Sequence, residues 1–224
     1  DALLSRGLGD VYKRQKETVN DIKVGKPLPL GSSITSGGVN FSLIATNAEY
    51  IEILLFEKGD SVAPKKVFKL DDIHKTGSYW HAEINNLKEG SIYAFRIKQK
   101  DNELNKNYSK TVLIDPCSRG ITGWSKYKRK NAIKNIDNID CCLKSVVCDR
   151  KLFNFIDFPR PKHSWKETII YELHIKAFTQ SSNQEESSFK KFLNKIPYLK
   201  ELGITTIELL PVFCFDPNDA PNGL

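Results

Sequence analysis

Two carboxylates stand in runs where charged side chains are rare: Glu172 within TIIYELHI (Thr168–Ile175) and Glu208 within ITTIELL (Ile204–Leu210). Two carboxyl groups in one site can divide acid and base or nucleophile roles if their surroundings pull their proton affinities apart. Glu208 also reads as a buried, paired structural carboxylate. The loop FCFDPNDAPNGL (Phe213–Leu224) offers a different chemistry, with aromatic faces at Phe213 and Phe215 and polar groups at Asp219 and Asn222. The four histidines, His74, His81, His163 and His174, lack HxH or HxxxH spacing, so no metal site is expected. His174 reads as a hydrogen-bonded structural residue. Five cysteines, an odd count without CxxC spacing, point to reduced thiols in a cytoplasmic protein.

The elements that would position these groups are legible around them. Thr168–Ile175 and Ile204–Leu210 are β-branched, apolar runs, expected as strands. Between them, Phe189, Phe192, Leu193 and Ile196 follow helical spacing, with Ser187 or Ser188 as a cap. Pro197 opens a short second helix and Gly203 ends it. Strand, helical crossover and strand make a parallel pair, and groups that meet a ligand then lie past the strands' carboxyl ends.

Upstream the texture differs. Val39–Ala45, Tyr50–Phe56, Lys66–Leu70, Ser78–Ile84 and Ser91–Gln99 are short runs, several with clear apolar–polar alternation, separated by turns without helices. They predict an immunoglobulin-like β-sandwich over residues 22–116, with Tyr93, Phe95 and Ile97 facing inward. Residues 117–164 lack a clean period and read as an irregular connector. Residues 165–224 hold the parallel unit. Residues 1–21 are expected to be a disordered or non-native leader; the chain begins with Asp and contains no Met, and it is expected to be a piece of a longer protein.

Lys and Arg total 34 against 27 Asp and Glu, a net charge of +7. The basic residues are interspersed with acidic ones and no helix-turn-helix, zinc-finger or RNP pattern accompanies them, so nucleic acid is not the expected partner. No segment reaches the ~20 apolar residues of a membrane-spanning helix.

Several of these segments together resemble a known family. YELHIKAFT (Tyr171–Thr179) followed by IPYLKELGITTIELLPV (Ile196–Val212) is similar to the opening of the (β/α)8 barrel of glycoside hydrolase family 13. PLPLGSS (Pro27–Ser33), GGVNFSLIATNAEYIEILLF (Gly37–Phe56), YWHAEINNLKEGSIYAFRI (Tyr79–Ile97) and LIDP (Leu113–Pro116), in that order, resemble the N-terminal CBM48 module of debranching and branching enzymes. The Phe213–Leu224 loop resembles the isoamylase and bacterial glycogen-debranching branch.

The resemblance implies a sandwich followed by the first βαβ portion of a TIM barrel. It implies hydrolysis of α-1,6 branch linkages in an α-glucan such as glycogen by a retaining two-carboxylate mechanism, with no cofactor. The family's catalytic acids follow later barrel strands, so neither Glu172 nor Glu208 takes that role and no catalytic residue is assigned; a fragment with these bounds is expected to be inactive. Phe213, Phe215, Asp219 and Asn222 are the candidate substrate-binding residues. Glycogen-binding modules of this type stack sugars on exposed tryptophans, and the matching regions, Glu57–Lys66 and Asn105–Pro116, contain none. Trp80 is expected in the core. The alternatives are a branching enzyme, a maltooligosyltrehalose trehalohydrolase, or a non-catalytic glucan-binding module.

Overall fold

Alternating apolar residues become paired strands through the first half of the chain. The computed structural model describes residues 21–100, 110–132, 134, 136–149, 160–180, 187–213 and 216. The chain divides between Phe153 and Asn154 into two units.

In the first unit, β1 (Ile22–Lys23) and β2 (Gly31–Ile34) precede β3 (Gly38–Ile44), β4 (Ala48–Phe56) and β5 (Lys66–Leu70). Next come β6 (Lys75–Thr76), β7 (Tyr79–Asn85), β8 (Ile92–Gln99), β9 (Val112–Leu113), β10 (Gly120–Thr122), helical turn α1 (Arg129–Ala132) and β11 (Lys144–Val146). One sheet runs β1-β7-β3-β2, with β6 added to β7; the other runs β10-β11-β8-β4-β5, with β9 added to β8. Their pairings are antiparallel.

Period-two alternation sends Val39, Phe41 and Leu43 from one sheet against Ile51, Ile53, Tyr93 and Phe95 from the other. Trp80 joins this core as expected, 1% exposed, and its indole N–H donates to the Ala45 carbonyl at 3.0 Å. Each such large side chain contributes about 1.5–3 kcal/mol through burial. The intervening polar residues are covered too. Asn40 exchanges hydrogen bonds with the Lys26 backbone, and the Ser42 hydroxyl donates to the Pro27 carbonyl.

The outer face of the second sheet is also roofed. Leu54, Phe56 and Ala94 pack with Val112, Ile139 and Cys142 in a second apolar cluster. Two segments in the region expected to be irregular, Gly120–Thr122 and Lys144–Val146, are therefore strands extending the sheet. Polar composition hides them: Lys144 is only 1% exposed, with its ammonium donating to the Gly59 and Ile139 carbonyls and lying 4.8 Å from the Phe56 ring centre.

In the second unit, β12 (Ile170–Leu173) and β13 (Thr206–Leu209) are parallel, with α2 (Ile175–Phe178), α3 (Ser188–Leu193) and α4 (Ile196–Glu201) between them. Ser187 caps α3 by accepting from the Lys190 N–H, and Pro197 lies in the first turn of α4. Gly203 (φ +87°) turns the chain into β13 while the Ile204 N–H bonds back to the Leu199 carbonyl. Leu173, Ile175, Phe192 and Leu199 form a small core. Of the helical face expected inward, Phe189 and Leu193 stay exposed.

Candidate functional site

The parallel pair defines two places for chemistry: the face of the strands and the segments past their carboxyl ends. On the strands, Glu172 lies directly opposite Glu208 in register. Both are exposed, so the expected burial and pairing of Glu208 is not found; the α-helices cover the opposite face, carrying Tyr171 and Ile207. Among the described residues neither carboxylate forms an ion pair.

Past β12, His174 lies just outside the strand and caps α2, its Nδ1 accepting from the Ala177 N–H at 3.1 Å. A ring nitrogen that accepts a backbone hydrogen bond is the unprotonated one. His174 thus holds the start of the helical crossover. Past β13, Leu210, Pro211 and Val212 lead to Phe213, which is 83% exposed. Its ring is open to stacking. Phe215, Asp219 and Asn222 lie outside the described residues, as does Cys214.

The sandwich contains a buried polar cluster that sequence reasoning missed. The Tyr93 hydroxyl donates to the Asp115 carboxylate at 2.6 Å, and the Cys117 N–H donates to its other oxygen at 2.7 Å. The Asp115 N–H in turn donates to the Ser145 hydroxyl at 2.9 Å. Burial pushes the Asp115 carboxyl above its usual range, with the Tyr93 and Cys117 donors opposing the shift. Burial first, then the adjacent carboxylate, pushes the Tyr93 phenol up. With Tyr93 fully buried and Asp115 nearly so, the cluster joins β8, the LIDP segment and β11 and is closed to a substrate.

His81 is similarly structural. Its Nδ1 faces the Val24 carbonyl and therefore carries the proton, leaving Nε2 to accept from the Thr76 hydroxyl; both distances are 2.8 Å. Among the described residues no group of three or more His, Cys, Asp or Glu is placed to hold a metal ion. No described helix is long and apolar enough to cross a membrane. The described cysteines, Cys117, Cys141, Cys142 and Cys148, are free thiols.

The sandwich pattern has a counterpart among known families. Residues 29–118 match carbohydrate-binding module 48, the isoamylase N-terminal domain. The module-48 segment thus spans β2 to the LIDP turn, and Asp115 of the buried cluster is one of its last residues. The likeness continues beyond the module. Over 205 residues, 86% of this chain, the sequence is 29% identical to a glycogen debranching enzyme of Pectobacterium atrosepticum. The chain spans 30% of that relative's length.

Solved structures share the fold. The pneumococcal glycogen-degrading virulence factor SpuA, in a product complex, is similar over 86% of this chain and 20% of its own, with 20% identity and a TM-score of 0.62. Pullulanase SAP of Group B Streptococcus, in complex with maltotetraose, is similar over 84% of this chain and 24% of its own, with 20% identity and a TM-score of 0.62. Within the module-48 match, the turn at Glu57–Lys66 contains no tryptophan.

Proposed function

We propose that this chain is the N-terminal region of a glycoside hydrolase of family 13 that cleaves α-1,6 branch linkages in glycogen or a related α-glucan. The observation that carries the reading is the order of parts: a module-48 sandwich, then a parallel strand pair bridged by helices, in a chain of which 86% is covered by the likeness to a glycogen debranching enzyme. The parallel pair is the opening of a (β/α)8 barrel, a fold of ~250 residues. Exposed apolar side chains on the second unit, among them Ile170, Leu193, Tyr198 and Leu202, support this, because further barrel elements would cover them.

The chemistry would be retaining hydrolysis by two carboxyl groups ~5 Å apart, one as nucleophile and one as acid and then base. Glu172 and Glu208 are not that pair: they lie within β12 and β13, and catalytic groups of a barrel stand at the strands' carboxyl ends. Phe213, Phe215, Asp219 and Asn222, past β13, are the substrate-side residues of this reading. The 224-residue chain alone lacks the catalytic acids, and the whole enzyme works in the cytoplasm without an organic cofactor.

Incubating the 224-residue chain and the full-length parent with glycogen tests this. The parent should release linear α-1,4 chains and new reducing ends, and the shorter chain none. Transfer of chains into new branches by the parent would move the assignment to a branching enzyme; release of trehalose would move it to a trehalohydrolase. Tight glycogen binding by the 224-residue chain with a parent devoid of hydrolysis would favour a non-catalytic module.

A further inference from the structure

The roof over the second sheet holds a thiol and an amine that converge on one oxygen. The Lys144 ammonium donates to the Ile139 carbonyl at 3.3 Å, and the Cys142 thiol donates to that same carbonyl at 3.7 Å. The two residues stand two apart on the segment that enters β11, a spacing that turns both side chains to one side of extended backbone. Phe56 joins them: Cys142 shares its apolar cluster, and the Lys144 ammonium lies 4.8 Å from its ring centre. Both side chains are buried, Cys142 at 4% exposed and Lys144 at 1%.

The adjacent thiol is engaged elsewhere. Cys141 Sγ accepts from the Asn131 side-chain amide on α1 at 3.4 Å. Lys144 forms no ion pair with a carboxylate among the described residues; two carbonyls and a ring face hold its ammonium. Burial pushes the Cys142 thiol up, and the nearby ammonium opposes that shift. A thiol so enclosed is shielded from bulky reagents. Hydrogen peroxide, hardly larger than water, reaches it through brief local openings.

We propose that Cys142 and Lys144 form an oxidative modification site, at which a peroxide closes a reversible sulfur–nitrogen cross-link. In the first step the Cys142 sulfur attacks one peroxide oxygen. The O–O bond breaks, one water leaves and a sulfenic acid remains, the sulfur having given two electrons to the peroxide. In the second step Lys144, its extra proton released to solvent, attacks the sulfenic sulfur with the nitrogen lone pair. An S–N bond forms, the S–O bond breaks, and the hydroxyl leaves with a proton from nitrogen as a second water. Added thiols reverse the link, returning the Cys142 thiol and the Lys144 amine as they become a disulfide.

Closing the link changes what this segment ties together. It removes the positive charge and leaves one N–H where the ammonium had three. That nitrogen no longer serves the Gly59 and Ile139 carbonyls together, so oxidation loosens the tether on the Gly59 turn. The inference stands on this cluster alone and is independent of the enzyme reading.

The test is peptide mapping of the 224-residue chain after hydrogen peroxide treatment, alkylation without reduction and trypsin digestion, with the exposed Cys117 reporting that oxidant was active. Trypsin cuts after a free Lys144 and not after a cross-linked one. The expected product is an uncut peptide of residues 135–150, two hydrogens lighter, with Cys141 alkylated and Cys142 not. Dithiothreitol should restore cutting after Lys144. Cys141→Ser should form the same product, and Cys142→Ser should lose it. Normal cutting after Lys144 while Cys117 is oxidised would overturn the proposal, whether Cys142 is then unmodified, oxygenated or in a disulfide with Cys141. Loss of the product in Cys141→Ser would overturn it as well.

Discussion

Glu172 and Glu208 face each other across the parallel strands β12 and β13, in direct register and both exposed. Like charges opposed on neighbouring strands oppose the pairing, by about 0.2–1 kcal/mol. Glu208→Gln should therefore slow amide exchange at Ile207 and Leu209, by a factor of about two to five if that repulsion is relieved. Unchanged exchange would show that water already screens the pair fully.

The Tyr93–Asp115 bond carries a prediction with a pH dependence. Tyr93→Phe removes the donor to a carboxylate that is 2% exposed and should cost about 1–3 kcal/mol in urea unfolding at neutral pH. Asp115 has a raised proton affinity in the folded chain. Its contribution is therefore fully present below the unfolded carboxylate range and is lost as pH rises through the higher folded value. Asp115→Asn should flatten that part of the stability profile, and Tyr93→Phe should extend it to higher pH. A profile identical in all three proteins would rule the assignment out.

Lys144 ties the Gly59 turn and Ile139 to the second sheet by two hydrogen bonds. Lys144→Met keeps most of the side-chain volume but strands both carbonyls, so a loss of about 1–3 kcal/mol is expected. The Lys58–Ala63 turn should become the first point of proteolytic cleavage. Wild-type stability would mean that water satisfies those carbonyls.

Two glycines make a contrast. A Cβ on Gly38 would overlap the Ile84 carbonyl oxygen across the β3–β7 pair, whereas one on Gly77 would meet nothing within 4 Å. Gly77 has φ +59°, so Gly77→Ala should cost about 1–2 kcal/mol from backbone strain alone. Gly38→Ala should cost considerably more, because strand backbone must move, and the thermal midpoints of the two variants should separate accordingly.

Much of this architecture is legible in the residues. The alternation in GVNFSLI and IYAFRIKQ, and the inward set Tyr93 and Phe95, follow from the pleat. So do the parallel pair, the Ser187 cap and the Gly203 stop. What escaped has a common cause. The strands at Gly31–Ile34, Gly120–Thr122 and Lys144–Val146 are short and contain glycine, serine, threonine or lysine, and only partners distant in sequence make them strands. Asp115 and Lys144 are buried because, besides near partners at Cys117 and Ile139, hydrogen-bond partners converge on them from Tyr93, Ser145 and Gly59, distant in sequence, which no local pattern records. Glu208 misled for the same reason: its run reads as buried, yet in this chain its face of the sheet is open. Of the proposed substrate-side residues, the structure places Phe213 alone; Phe215, Asp219 and Asn222 lie outside the described residues.

A debranching enzyme and a branching enzyme differ in what they do to the α-1,6 linkage. Proton NMR of the anomeric region, following glycogen β-limit dextrin treated with the full-length parent, reads it directly. The α-1,6 signal should decline while the α-1,4 signal holds and new reducing-end signals appear in proportion. An α-1,6 signal that persists or grows would contradict the account.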